Sequence, residues 1–94
     1  MKDAGLVFKG QKDELKSKLE KYIFYDNQVH DEFTLKYNNK WVWAYASVNT
    51  KGNIYLDINF SKNFLDIEIK QFIQEMFLLG FIESSGEEED LIYD

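Results

Sequence analysis

The segment WVWAYASV at residues 41–48 decides the fold that this sequence predicts. Nearly every position is apolar, which is typical of a strand in the middle of a sheet. Side chains of a strand point alternately to its two faces, and here the two faces differ in size. One face carries small side chains and the other carries large aromatic ones. The small set is Val42, Ala44, Ala46 and Val48, and the large set is Trp41, Trp43 and Tyr45.

Turn signals on both sides make this segment the middle strand of a meander. Asn38-Asn39 tolerates the positive φ of a two-residue hairpin turn, and Thr50-Lys51-Gly52 suits a three-residue turn. The neighbouring segments, 29–37 and 54–60, alternate with period two. The turns predict a register that pairs Tyr37 with Lys40, Leu35 with Val42, Phe33 with Ala44, Ala44 with Ile58, Ala46 with Leu56 and Val48 with Ile54. The opposite face then collects Thr34, Trp43 and Asn59 in one row, and Glu32, Tyr45 and Asp57 in the next.

A helical pattern precedes the meander, between Gln11 and Tyr25. Its apolar residues recur at the spacing of one face of an α-helix, and acidic residues near its start suit the helix dipole. Phe8 lies seven residues before Leu15, the first residue of the apolar stripe, so we expect Phe8 to anchor the start of the helix. The apolar stripe is Leu15, Leu19, Tyr22 and Ile23.

A second helical pattern follows the meander. Asn63 is a good N-cap residue, and the apolar spacing continues to about Leu79, before Gly80 as a C-terminal cap. Residues 81–82 add a short extended piece or close the core, and residues 84–94 form an acidic segment that is a short third helix or a tail. The predicted fold is therefore one compact α+β domain over residues 1–94. It has two layers, a three-stranded antiparallel β-meander with both helices on one face, in the order α-β-β-β-α.

Negative charge is concentrated near the C terminus. The net charge is −6, and residues 63–94 hold one lysine and nine acidic residues, with a continuous run at Glu87, Glu88, Glu89 and Asp90. Such a run is usually solvated, but it can also engage a partner with a basic surface. The chain has no cysteine, which excludes disulfides and thiolate sites. Because no segment resembles a signal peptide or a membrane span, we expect a cytoplasmic protein without membrane contact.

The aromatic side of the predicted sheet is the first candidate interaction surface. With both helices on the other face, these side chains would face solvent as a patch larger than ordinary surface scatter. Trp and Tyr are favoured anchors of protein interfaces, so the patch indicates a partner protein or a second copy of the chain. The alternative is a second core, covered by the N-terminal segment or by the tail. The predicted partner-binding residues are Trp41, Trp43, Tyr45, Tyr55 and Asp57 on the sheet, Asp66 and Glu68 at the start of the second helix, and Glu87, Glu88, Glu89 and Asp90.

Catalytic and nucleic-acid sites are less well supported. His30, Glu32 and Ser47 share the aromatic side of the sheet, but a flat sheet offers neither an oxyanion hole nor a sheltered pocket. The spacing of the acidic residues does not match a metal-binding loop, so we expect no catalytic residue, metal or cofactor. An aromatic sheet can stack single-stranded bases. Here Glu32 and Asp57 flank it and the chain has no arginine, which counts against direct nucleic-acid binding.

The element order and the charge resemble those of small acidic phage-encoded anti-CRISPR inhibitors. The matching stretches are Trp41 to Phe60, Asn63 to Leu79 and Ser85 to Asp94. Some members of that group are DNA mimics that block a basic cleft of a CRISPR effector. Small bacterial immunity proteins are similar in the same general features of element order and charge. The resemblance implies a protein-binding inhibitor, not an enzyme, which presents carboxylates to a basic cleft of a nucleic-acid-binding enzyme in the cytoplasm of a host cell. The alternative is a homodimeric structural or regulatory domain joined through the aromatic sheet face.

Overall fold

The computed structural model describes residues 2–27, 29, 31–48 and 51–84. Over these residues the chain forms a six-stranded antiparallel sheet and two helices, in the strand order β2-β3-β4-β5-β1-β6. The fold is α+β. The elements are β1 (Lys2–Phe8), α1 (Lys12–Leu19), β2 (Ile23–Asn27), β3 (Glu32–Tyr37), β4 (Lys40–Val48), β5 (Ile54–Phe60), α2 (Asp66–Leu78) and β6 (Ile82–Glu83).

The expected three-stranded meander is wrong as a description of the whole sheet, because it is only the centre of a larger one. The first missed strand is β1, which pairs with β5 along its whole length. Its apolar run, Leu6 to Phe8, is buried on both sides of the sheet, so it lacks the period-two pattern that marks a half-exposed strand. Phe8 therefore ends a strand and does not begin a helix.

The first helix is also shorter than its pattern suggested. It ends at Leu19, and Ile23 to Asn27 form the edge strand β2 against β3. Ile23 keeps its core position as the partner of Leu35. The helical spacing therefore identified Ile23 correctly as a residue that packs against the core, but it placed the residue in a helix and not in a strand. Adjacent aromatic residues at 24 and 25 favour a strand over a helix at this point.

The central register is confirmed. Tyr37 pairs with Lys40, Phe33 with Ala44 and Ala44 with Ile58, as do the other predicted pairs. Asn38 and Asn39 have φ values of 52° and 61°, as a two-residue turn with both central residues left-handed requires. Gly52 also has a positive φ, of 80°.

Both described helices pack on the same face of the sheet. Val42 and Ala44 are fully buried there, in one cluster with Leu19 and Leu15 from α1 and with Phe72 from α2. The prediction that the large side of β4 points away from the helices is therefore confirmed. We call the helix-covered side the inner face and the opposite side the outer face.

The second helix begins two residues later than expected, with Leu65 and not Asn63 at the N-cap position. It spans Asp66–Leu78, and the backbone amide of Leu65 donates a hydrogen bond of 2.9 Å to Glu68 Oε1. Asn63 instead accepts a hydrogen bond from the Ser61 hydroxyl. Gly80, with φ of 104°, follows the helix as predicted. Residues 82–83 form β6, and the expected helix or tail lies mostly outside the described residues.

A shared carboxylate ties α2 to the sheet. Glu75 accepts hydrogen bonds from the hydroxyl groups of Tyr22 and Tyr37, the latter at 2.6 Å. The two hydrogen bonds lower the pKa of Glu75. Burial, together with the neighbouring Glu75, raises the pKa of Tyr22 and raises the pKa of Tyr37 to about 12. The cluster therefore connects Tyr22 and Tyr37, which lie in different parts of the chain, to the same face of α2.

We expect the substitution Tyr37→Phe to lower the free energy of unfolding by about 1–2 kcal/mol, the usual contribution of a hydrogen bond to a charged group that is partly exposed. Tyr25→Phe is the matched control, because that tyrosine is exposed on the edge strand. Urea unfolding at pH 7 measures both. Equal losses in the two variants would contradict the role of the Tyr37 hydroxyl.

The same cluster predicts how stability depends on pH. Because folding lowers the pKa of Glu75, its contribution is present above the ordinary glutamate pKa of 4.5 and is lost as the pH falls towards the folded value. The contribution of Tyr37 is present below pH 10 and is lost as the pH rises towards about 12. We expect Glu75→Gln to flatten the acid limb of a urea-midpoint profile between pH 5 and pH 3 relative to the wild type. An unchanged acid limb would show that Glu75 does not couple to folding.

Candidate protein-interaction surface

The outer face displays the aromatic residues predicted for it. Alternation along β4 places Trp41, Trp43 and Tyr45 there, with Trp41 36% and Tyr45 42% exposed. Trp43 is half-buried between its cross-strand neighbours Thr34 and Asn59. Over the described residues, neither helix lies on this side. The sheet therefore holds its largest side chains where they meet solvent.

Two further aromatic residues extend the patch to the edge of the sheet. The pairing of β2 with β3 shifts between Ile23 and Tyr25, so Phe24 is an extra residue in the edge strand. The Phe24 ring meets the Trp41 ring edge to face, with 5.0 Å between centroids. Tyr25 lies opposite Thr34, which is also on the outer face. Both are about 60% exposed or more: Phe24 66% and Tyr25 59%.

The sequence prediction missed these two residues because the helical pattern was extended across them. The signal that would have found them is the adjacent aromatic pair directly after the apolar stripe, since consecutive bulky aromatic residues favour a strand. We define the aromatic patch as Phe24, Tyr25, Trp41, Trp43 and Tyr45.

Opposite charges occupy the two ends of the patch. Lys36 is the cross-strand neighbour of Trp41, and its Nζ lies 5.3 Å from the Trp41 ring centroid. At the other end, Tyr45 lies between Glu32 and Asp57. The central row, through Trp43, is uncharged on both neighbouring strands. The outer face therefore changes sign along the direction of β4.

A groove opens beside the lysine end of the patch. It has a volume of about 1260 Å³ and runs between Trp41, Trp43 and the segment that follows β5. Lys2, Lys40 and Lys62 line it. Lys2 and Lys40 already have acidic neighbours, Asp66 for the first and Glu68 for the second. The groove thus offers one lysine, Lys62, without an ion pair among the described residues.

Tyr55 lies apart from the two tryptophans. It is on the outer face opposite Val7 of β1, and its ring leans over Gly5. A Cβ at Gly5 would lie 2.5 Å from the Tyr55 hydroxyl, so glycine is what allows this close approach. Asp57 is the partner of Gly5 in the next row. Both predicted residues therefore occupy the outer face, at the end away from the groove.

The two predicted acidic residues of α2 have different surroundings. Asp66 is 91% exposed in its side chain, and its carboxylate is 3.9 Å from Lys2 Nζ. Glu68 is only 13% exposed: its carboxylate accepts hydrogen bonds from Lys40 Nζ, from Asn38 Nδ2 at 3.2 Å and from the Leu65 amide. The Lys40 hydrogen bond is the main cause that lowers the pKa of Glu68 to about 2. Glu68 thus holds the β3–β4 turn against α2.

The acidic run at Glu87, Glu88, Glu89 and Asp90, like His30, lies outside the described residues. All eleven lysines and twelve of the seventeen acidic residues lie within them, which gives the described part a net charge of −1. Residues 85–94 contain the other five acidic residues and no lysine. The aromatic patch and the acidic run can therefore be tested as separate surfaces.

Comparison of the chain with protein-family models, with curated proteins and with solved structures finds no match. Among the described residues, no group of three or more His, Cys, Asp or Glu side chains is placed to hold a metal ion. Neither described helix is long and apolar enough to cross a membrane. Geometry and chemistry alone therefore support the functional proposal.

The contrast between Glu68 and Asp66 gives a paired prediction. We expect Glu68→Gln to lower the midpoint of urea unfolding at pH 7, because it weakens the contacts of the carboxylate with Lys40 and the Leu65 amide. Asp66→Asn, an equivalent change two residues earlier, should leave the midpoint unchanged within error. If Asp66→Asn destabilised the protein as much as Glu68→Gln, the internal role assigned to Glu68 would be wrong.

The pH dependence of this difference follows from the pKa of Glu68. Since folding lowers that pKa from 4.5 to about 2, the stabilising contribution is complete above pH 4.5 and is lost as the pH falls towards 2. The wild type and Glu68→Gln should therefore converge in stability between those values. The check is the urea midpoint of each protein at several acidic pH values.

Proposed function

We propose that this chain is a small protein-binding domain that contacts its partner through the aromatic patch on the outer face. The observation that carries the proposal is the exposure of Trp41, Tyr45, Phe24 and Tyr25 together on a sheet face that neither described helix covers. Trp and Tyr combine a large apolar surface with few rotatable bonds, which makes them the commonest anchors of protein interfaces. The domain acts by binding and not by catalysis.

The chemistry of the patch favours a protein over a nucleic acid. A nucleic-acid surface needs cations along the whole track of the phosphates. Here Glu32 and Asp57 flank Tyr45 at one end, and the chain contains no arginine. Apolar aromatic surface with mixed charge at its edges is typical of a protein interface.

A second candidate function is the acidic inhibitor that the element order and charge imply. The supporting observation is the concentration of five acidic residues and no lysine in residues 85–94. In that proposal, Glu87, Glu88, Glu89 and Asp90 present carboxylates to a basic cleft of a nucleic-acid-binding enzyme, in the cytoplasm of a host cell. Asp66 is the exposed acidic residue of α2 that would add to this surface.

Affinity capture tests which surface carries the function. The immobilised full chain is exposed to lysate from its natural host, in parallel with Trp41→Lys, Tyr45→Lys and the control Gln74→Lys on the exposed side of α2. We expect the wild type and the control to retain the same protein, and both patch variants to lose at least nine-tenths of it. Circular dichroism confirms that the variants are folded.

The same capture separates the two candidates. Conversion of Glu87, Glu88 and Glu89 to Gln and of Asp90 to Asn tests the acidic run alone. Loss of capture in this variant, with the patch variants unaffected, would reject the patch and favour the acidic inhibitor. Loss in the patch variants alone supports the principal proposal.

A further inference from the structure

Two charged residues of β3 on the outer face form a pattern that is complementary to itself. Lys36 marks one end of the aromatic patch and Glu32 the other, on the same strand. They lie four residues apart, a distance of about 13 Å in an extended strand, so they cannot pair within one chain. Neither has an ion pair with another described residue. A partner that satisfies both ends must carry the opposite order of charges along the same length.

A second copy of the chain carries that order. Two outer faces can meet across a two-fold axis that lies between the two sheets. This axis is perpendicular to β4 and passes beside Trp43. This operation reverses the strand direction, so it places Lys36 of one copy opposite Glu32 of the other, and does so twice. Trp41 then meets Tyr45 of the second copy, and the two Trp43 side chains meet at the axis. Such self-complementarity is what a two-fold interface requires.

We propose that the outer face is a two-fold interface between two copies of this chain. The inference rests on the proposed protein-binding role of the aromatic patch and names its partner. The two sheets would pack face to face with nearly aligned strands, about 10 Å apart, which is a common arrangement of antiparallel sheets. The uncharged central row at Thr34, Trp43 and Asn59 lies at the centre of the interface, and the charges lie at its rim.

The size of the patch sets the expected strength. The proposed interface spans four strands, from β2 to β5, a distance of about 14 Å from the first strand to the last, and the rows from Trp41 to Tyr45 cover about 13 Å. An interface of this footprint is smaller than the standard size of stable complexes and is in the range of weak, transient association. The dimer should therefore dissociate in the micromolar range, and sedimentation velocity should detect a monomer–dimer equilibrium between 1 and 500 μM.

Charge reversal tests the proposed pairing directly. Lys36→Glu and Glu32→Lys each place two like-charged pairs across the axis, and each should weaken dimerisation at least tenfold. The double variant, Lys36→Glu with Glu32→Lys, should return the dissociation constant to within a few-fold of the wild type. Lys18→Glu, on the exposed side of α1, is the control and should leave it unchanged.

Mixing the two single variants gives the sharpest result. In a mixed dimer each reversed residue meets an opposite charge, so the mixture should associate more tightly than either variant alone. Attraction between the net charges of the two variants cannot produce this gain. Lys36→Glu changes the net charge from −6 to −8 and Glu32→Lys changes it to −4, so both variants remain negative. The gain is specific to contact between positions 32 and 36.

The outcomes distinguish this inference from the proposed function. A wild type that is monomeric at 500 μM, or a mixture no tighter than its components, overturns the dimer. Capture of a different protein that the patch variants lose would then still support protein binding. A dimer that withstands the charge reversals and Trp41→Lys alike also overturns the inference, because its interface would lie elsewhere.

Discussion

The burial of the small side of β4 in one hydrophobic cluster with both helices is the constraint on which the rest of the structure depends. Val42 and Ala44 are fully buried, and the cross-strand neighbours of Ala44 are the larger Phe33 and Ile58. Protein interiors are packed as densely as organic crystals, so a larger side chain at position 44 would displace its neighbours. The volume that β4 does not supply comes from aromatic residues on other elements, such as Phe72 of α2.

The same constraint determines the outer face. Once the inner side of β4 is reserved for the helices, Trp41, Trp43 and Tyr45 must point the other way. Strands β3 and β5 then set what surrounds them, with Lys36 at one end and Glu32 at the other. The interaction surface is therefore a direct consequence of how the core is built. A functional surface made from strand residues is also rigid, which reduces the entropy lost when a partner binds.

The sequence predicts the centre of the fold well because its signals there are local. Two turns with distinct residue requirements fix the register of β3, β4 and β5, and any one-residue slip would exchange core and surface. The outer strands have no such signals. The run at Leu6 to Phe8 becomes a strand because β5 offers it a partner some fifty residues later. Residues 23–27 likewise leave the helix because β3 is available for pairing. These long-range pairings override the local pattern.

The candidate site shows the same division. The aromatic residues of β4 were predicted from alternation, whereas Phe24 and Tyr25 depend on a bulge that spacing alone does not show. Glu68 was assigned to a partner because a carboxylate at a helix start is usually exposed. Within the chain its carboxylate contacts Lys40, which lies at a hairpin turn twenty-eight residues earlier. A sequence read in windows of a few residues cannot reveal such a contact.

The central claim, that the aromatic side of β4 points away from both helices, is tested most directly by nuclear Overhauser contacts of the Trp43 indole protons. The account predicts contacts to the side chains of Thr34 and Asn59, its cross-strand neighbours. It predicts none to Leu19 of α1 or Phe72 of α2, which lie in the core on the other face. Contacts from Trp43 to Leu19 or Phe72 would contradict it, because Val42 and Ala44 would then be outside and the aromatic patch would be core.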